Sequence, residues 1–65
     1  MYFWGALFLI GKKQKWVFGV MKWDTVEFAE AEMKEFVNNW MWLRSKGIPS
    51  SAKLIRTVIC TPSES

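Results

Sequence analysis

Two runs near the start of the chain, residues 2–10 and 15–23, have the composition of β-strands but are apolar on both of their alternating faces. A strand directs successive side chains to opposite faces of its sheet, so a sheet with one wet face alternates apolar and polar residues. A chain of 65 residues has little further structure with which to cover two apolar faces. We therefore expect one face of the sheet to bind another molecule.

The break at residues 11–14 predicts a β-hairpin in which Ile10 faces Lys15. In that register, one face carries the even-numbered residues of the first strand and the odd-numbered residues of the second. A shift by one residue would exchange the faces of one strand, but every face would stay apolar. The residues of the other face are the ones that we predict to bind protein: Phe3, Leu7, Leu9, Trp16, Phe18 and Val20.

A single long helix is predicted from Asp24 to about Ser45. Asp24 and Glu27 have the spacing of a capping box, Gly47 is a natural residue for the end of a helix, and Pro49 confirms the stop. Spacings of three and four place one apolar stripe on the helix, and we expect this stripe to face the sheet. Its members are Val26, Ala29, Met33, Phe36, Val37, Trp40 and Leu43.

Phe28 and Trp42 fall on the opposite side of this predicted helix, near Glu35 and Asn39. A tryptophan on a polar helix face is uncommon, so these two residues are a second candidate protein-binding surface. The alternative is that they pack against the connector at residues 48–51 or against the C-terminal tail.

The order of the predicted elements is β-β-α-β, which indicates an α+β fold. A third strand is predicted over residues 52–60, with Leu54, Val58 and Cys60 on one face and Ile55 and Ile59 on the other. A helix between the second and third strands lets the third pair with the first. The result is a three-stranded antiparallel sheet of order 2-1-3 with one long helix packed on one face. We predict that residues 1–60 form a single domain and that residues 61–65 are a flexible C-terminal tail.

The residues that usually carry catalysis or hold metals are scarce. The chain has no histidine, one cysteine and no glycine-rich phosphate loop. We predict that the protein is not an enzyme and has no metal site and no cofactor. Cys60 is expected to be a small apolar residue near a strand end, with an intermolecular disulfide or a reactive thiol as the alternative.

A basic, aromatic hairpin suggests a second function class. Lys12, Lys13, Lys15 and Trp16 could neutralise phosphates and stack on bases, as in proteins that bind single-stranded nucleic acid. The competing interpretation is a solubilising turn beside core aromatics, with lysines that protect an edge strand. We keep single-stranded nucleic-acid binding as the alternative function.

Location and assembly follow from lengths and charges. The first apolar run spans nine residues, whereas a membrane span needs about 20. Lys12 and Lys13 come after this apolar run, whereas a signal peptide carries its positive charge before the apolar segment. We therefore expect a cytoplasmic protein of the producing or infected cell, with no membrane partner. We also expect a homodimer, because closed two-fold pairs are the commonest assembly.

The layout resembles small phage proteins that block host enzymes, among them a phage inhibitor of host RNA polymerase. The resemblance is carried by an acid-rich helix opening, Asp24–Ala31, and a closing strand, Leu54–Cys60, with Pro62 beyond it. The long helix and the aromatic content depart from that inhibitor, and no binding residues carry across. The resemblance implies an inhibitor from a phage or mobile element that blocks a host enzyme or a defence complex. We predict a non-catalytic inhibitor or adaptor that covers a surface of a larger protein.

Overall fold

The computed structural model describes residues 1–62. It contains three strands, β1 (Phe3–Ile10), β2 (Lys13–Phe18) and β3 (Lys53–Cys60), and two helices. The strands form one antiparallel sheet of order β2-β1-β3, which confirms the predicted α+β fold and strand order. Of the predicted tail, only residues 61 and 62 lie within the described part of the chain.

A two-residue turn joins β1 to β2, which is tighter than the predicted loop. Gly11 has a φ of 62°, a value that suits glycine at the first central position of a tight hairpin turn. Ile10 therefore pairs with Lys13, and the predicted pairing with Lys15 is wrong. The shift is two residues, so the side chains of β1 and of residues 15–18 stay on their predicted faces.

β2 ends at Phe18, and the predicted strand over residues 15–23 is therefore too long. The chain leaves the sheet after Gly19, whose N–H donates to the Trp4 carbonyl oxygen over 3.0 Å. It returns at Trp23, which forms an isolated bridge with Tyr2. Continuation of the β1–β2 register would have paired Tyr2 with residue 21, so two extra residues are accommodated in this loop.

An irregularity in β3 changes the face on which its first residues lie. The register with β1 shifts between Leu7, which pairs with Arg56, and Phe8, which pairs with Leu54. Ile55 is therefore the extra residue of a β-bulge. The bulge places Leu54 on the same face as Phe8, whereas the sequence pattern had grouped Leu54 with Val58 and Cys60.

Two helices replace the predicted single helix. α1 spans Val26–Val37 and α2 spans Trp40–Ser45. The α1 cap is Thr25 and not Asp24, since the Thr25 hydroxyl accepts from the Phe28 N–H over 3.3 Å.

The helix breaks at residues 38 and 39, both asparagine. The Asn38 side chain donates to the Lys34 carbonyl oxygen over 2.8 Å, and the Asn39 side chain caps α2 by accepting from the Trp42 N–H over 3.2 Å. Asparagine side chains compete with helical backbone bonds in this way.

The break changes which side of the second helix faces the core. Trp42 packs against the core, with its ring centroid 5.6 Å from that of Trp4 and 4.8 Å from that of Phe36. Trp40, predicted to lie in the core, is 53% exposed. The predicted stripe is therefore correct over α1 and wrong at Trp40. The prediction assumed one continuous helix, and the break at residues 38 and 39 rotates the residues that follow it.

The core lies between the helices and one face of the sheet. Trp4 is its only large side chain that is fully buried among residues 1–62, and its indole Nε1 donates to the Glu32 carboxylate over 2.8 Å. The Trp4 indole also lies directly over Gly19, where an added Cβ would come within 2.7 Å of Cδ1. Trp4 therefore joins the sheet both to α1, through Glu32, and to the segment that follows β2, at Gly19. The other buried members of this cluster are Ala6, Phe8, Val17, Leu43 and Ile48.

Candidate protein-binding site

Among residues 1–62, no element packs on the face of the sheet opposite the helices, and we name it the open face. The helices pack on the face that carries Trp4, Ala6 and Phe8. The alternate residues of β1 lie on the open face, together with their neighbours on the two flanking strands. The apolar side chains on the open face are Phe3, Leu7, Leu9, Trp16, Phe18, Val58 and Cys60.

Three aromatic rings form a row on the open face. The Trp16 and Phe18 rings are stacked, with centroids 5.8 Å apart and planes at 11°, and Phe3 meets Phe18 edge-on at 6.1 Å. The Phe18 ring lies over Gly5, where an added Cβ would come within 2.8 Å of it. Trp16 is 40% exposed and Phe18 is 48% exposed, so the row presents aromatic surface to solvent.

The structure brings five of the six predicted sheet-face residues together. Phe3 and Leu9 are half-buried, and Leu7 is only 7% exposed between its cross-strand neighbours Trp16 and Arg56. Leu7 therefore supports the face from beneath, with little surface of its own for a partner. Val20 is exposed, but it follows the end of β2, and its predicted place in the second strand is wrong.

The charge on the open face has one sign. Arg56 lies beside Leu7 and Lys53 beside Leu9, while the three strands contain no acidic residue. The face is therefore aromatic towards Phe3 and cationic towards the hairpin end. This basic contribution from β3 was not among the predicted site residues, because alternation alone does not reveal which residues flank one another across strands.

The second predicted surface, formed by Phe28 and Trp42, does not exist as predicted. Trp42 lies half-buried against the core, under the ammonium group of Lys46 at 5.6 Å, so its predicted outward position is wrong. Phe28 is exposed on α1, with its ring 5.9 Å from that of Trp23. The sequence reasoning missed Trp40 as an exposed residue, and the Asn38-Asn39 pair was the signal that could have revealed it.

The four residues of the nucleic-acid alternative are divided between different surfaces. Lys12 is in the turn, and Lys13 pairs with Ile10 on the helix-covered side of the sheet. Lys15 lies on that same side, where its Nζ donates to the Lys46 carbonyl oxygen over 2.8 Å at the end of α2. Trp16 points to the open face. The structure therefore does not assemble these lysines and Trp16 into one basic, aromatic groove.

The described residues also bear on other kinds of site. Cys60 is a free, half-buried cysteine at the end of β3. Within residues 1–62, no three cysteine or carboxylate side chains lie close enough together to hold a metal ion. The helices found in this part of the chain are too short and too polar to cross a membrane.

Comparison with known proteins adds no relationship. No protein-family model, no curated protein and no solved structure matches this chain. The functional argument therefore depends on the geometry of the described residues.

Proposed function

We propose that this chain is a small non-catalytic protein-interaction module, an inhibitor or adaptor that covers a surface of a larger protein with its open face. The observation that carries the proposal is a row of three rings, two of them exposed, on a sheet face that neither α1 nor α2 covers. Contiguous apolar patches of this kind mark interaction sites, and tryptophan and phenylalanine supply large contact areas there.

The size of the open face favours a larger partner over a flat homodimer. Two strands of eight residues and one of six cover at most about 26 Å by about 14 Å, which is about 370 Å². Even if side-chain relief doubles this area, it stays below the about 800 Å² that each partner of a stable complex contributes. A larger protein can enclose the edges of the sheet as well as its face, and so reach that area.

The charges define the partner's surface. Arg56 and Lys53 lie at one end of the aromatic row, and no acidic residue of the strands balances them. A complementary surface has an apolar pocket for Trp16 and Phe18 with carboxylates beside it. The resemblance of the layout to small phage inhibitors favours blocking of a host enzyme or a defence complex in the cytoplasm as the activity.

The proposal is tested with Phe18→Lys, which places a charge at the centre of the row. Val20→Lys is the matched control, because Val20 is 76% exposed and lies outside the sheet. Each immobilised variant is incubated with lysate, and retained proteins are quantified by mass spectrometry. Any retained protein is then purified and titrated by calorimetry. We expect a partner that the wild type and Val20→Lys bind and that Phe18→Lys binds at least tenfold more weakly.

Several outcomes would contradict the proposal. Loss of binding after nuclease treatment, or a steep decline between low and moderate salt, would indicate nucleic acid instead. Light scattering that shows a stable dimer, which Phe18→Lys converts to monomer without any other partner, would make the open face a self-association surface. Far-UV circular dichroism verifies folding, and Trp16→Lys replaces Phe18→Lys if that variant unfolds.

A further inference from the structure

A second candidate surface lies on the helix side of the sheet, at the hairpin end. Two adjoining grooves, of about 540 and about 330 Å³, share Trp40, Ile48 and Pro49. Together they form an open depression, which we name the Trp40 groove. Its main lining residues are Ile10, Trp40, Arg44, Ile48, Pro49 and Leu54.

The Trp40 groove has a fixed apolar floor and an exposed aromatic wall. Ile48 is almost fully buried, so the floor belongs to the packed core. Trp40 stands on α2 beside it, with the Arg44 guanidinium carbon 5.5 Å from the centre of its ring. The cation holds the indole on the rim, where more than half of its surface faces solvent. Tryptophan and arginine are the residues that most often dominate binding energy at interfaces.

The charge around the Trp40 groove is positive. Within residues 1–62, Arg44 is the only charged residue among those that line it. The Lys15 ammonium group lies at the edge of the groove, within 2.9 Å of the position a Cβ on Gly47 would occupy, and Lys13 pairs with Ile10. The acidic residues of α1 extend from Glu27, near its start, to Glu35, which precedes the lining residue Val37 by two positions; in the described part of the chain none of them lines the groove.

We propose that the Trp40 groove binds an acidic peptide segment that inserts one apolar side chain between Trp40 and Ile48. The apolar floor suits a leucine or phenylalanine side chain, and the guanidinium of Arg44 can hold a neighbouring carboxylate in a bidentate pair. One aromatic ring is too few for a base-stacking platform, which favours a peptide over nucleic acid. This site lies on the other side of the sheet from the open face, so it does not depend on the function proposed above. A chain with both sites would be an adaptor.

The probe is a fluorescein-labelled ten-residue peptide that contains one leucine and one phenylalanine among aspartates and glutamates. Fluorescence anisotropy at about 0.15 M salt should give a Kd on the order of 10–100 µM. Two control peptides, one with lysines in place of the acids and one with serines in place of the leucine and phenylalanine, should bind at least tenfold more weakly. The indole N–H signal of Trp40, assigned in NMR spectra with Trp40→Phe, should shift on titration.

Variants of the protein locate the binding. Trp40→Ala should weaken the acidic peptide about tenfold and Arg44→Gln about fivefold. Phe18→Lys, on the open face, should leave the affinity unchanged, so failure of this proposal is separable from failure of the previous one. Equal binding of the lysine peptide, no loss in either groove variant, or no binding at about 1 mM would overturn the proposal. A Trp40 signal that shifts with protein concentration alone, or only with anionic vesicles, would assign the groove to a second copy or to a membrane and would also overturn it.

Discussion

Two tryptophans two residues apart in α2 give the sharpest test of the fold. Trp42 packs against Trp4 and Phe36, and Trp40 lies on the surface with Arg44 over its ring. A continuous helix through the Asn38-Asn39 pair would place them the other way round. Alanine substitution at each site therefore asks directly whether the helix is broken.

The expected loss in the free energy of unfolding differs between the two variants because Trp42 is more buried than Trp40. Removal of a core tryptophan costs about 3–5 kcal/mol, and Trp42 is expected near the lower end because it is only half-buried, with the Lys46 ammonium group over its ring. Trp40→Ala removes one exposed cation–π contact, worth about 0.5–1 kcal/mol. In a domain of this size, 1 kcal/mol corresponds to about 4–8 °C in Tm. Trp42→Ala should therefore lower Tm by about 12 °C or more, and Trp40→Ala by less than about 8 °C.

Thermal unfolding followed by far-UV circular dichroism measures both variants, with urea unfolding as the second measure of the free energy. A domain of 65 residues has a total stability of only about 3–10 kcal/mol. Trp42→Phe is therefore the milder substitution if Trp42→Ala does not fold. Equal losses, or a larger loss at Trp40 than at Trp42, would refute the break at Asn38-Asn39 and restore the single long helix.

Two further substitutions test contacts that join the hairpin to the helices. Gly19→Ala should lower the free energy of unfolding by about 1–3 kcal/mol in urea, since the new methyl group would overlap the buried Trp4 indole; an unchanged midpoint would show that Trp4 packs elsewhere. Lys15→Met keeps the apolar stem but removes the ammonium group that donates a hydrogen bond to the Lys46 carbonyl oxygen at the C-terminal end of α2. It should cost about 0.3–1 kcal/mol, less as salt is added, whereas Lys12→Met in the turn should cost nothing measurable.

The sequence predicts the sheet well because the alternation of residues along each strand is enough to assign the side chains to the two faces. The parity of the faces survived a two-residue error in the hairpin register, so the open face could be assigned from Phe3, Trp16 and Phe18 alone. The turn chemistry of Gly11, which gives Ile10 its true partner, was overlooked.

The helix was harder to predict because its decisive feature is not periodic. The Asn38-Asn39 pair ends α1 through side-chain hydrogen bonds, which a count of apolar spacings does not include. Arg56 lies beside Leu7, and Arg44 lines the Trp40 groove together with Ile10, although each arginine is distant in sequence from that neighbour. Such neighbours follow only from the tertiary fold.

The bulge at Ile55 bears on how a sheet with so much exposed apolar surface pairs with further strands at its edge. β3 is an edge strand, and a long regular edge is a template on which further copies can add without limit. The extra residue makes the edge of β3 irregular. Lys53 and Arg56 also place positive charges where the β3 strands of two copies would meet. Fibre growth along the sheet is thereby discouraged at its outer strand, while the aromatic rings remain accessible from above.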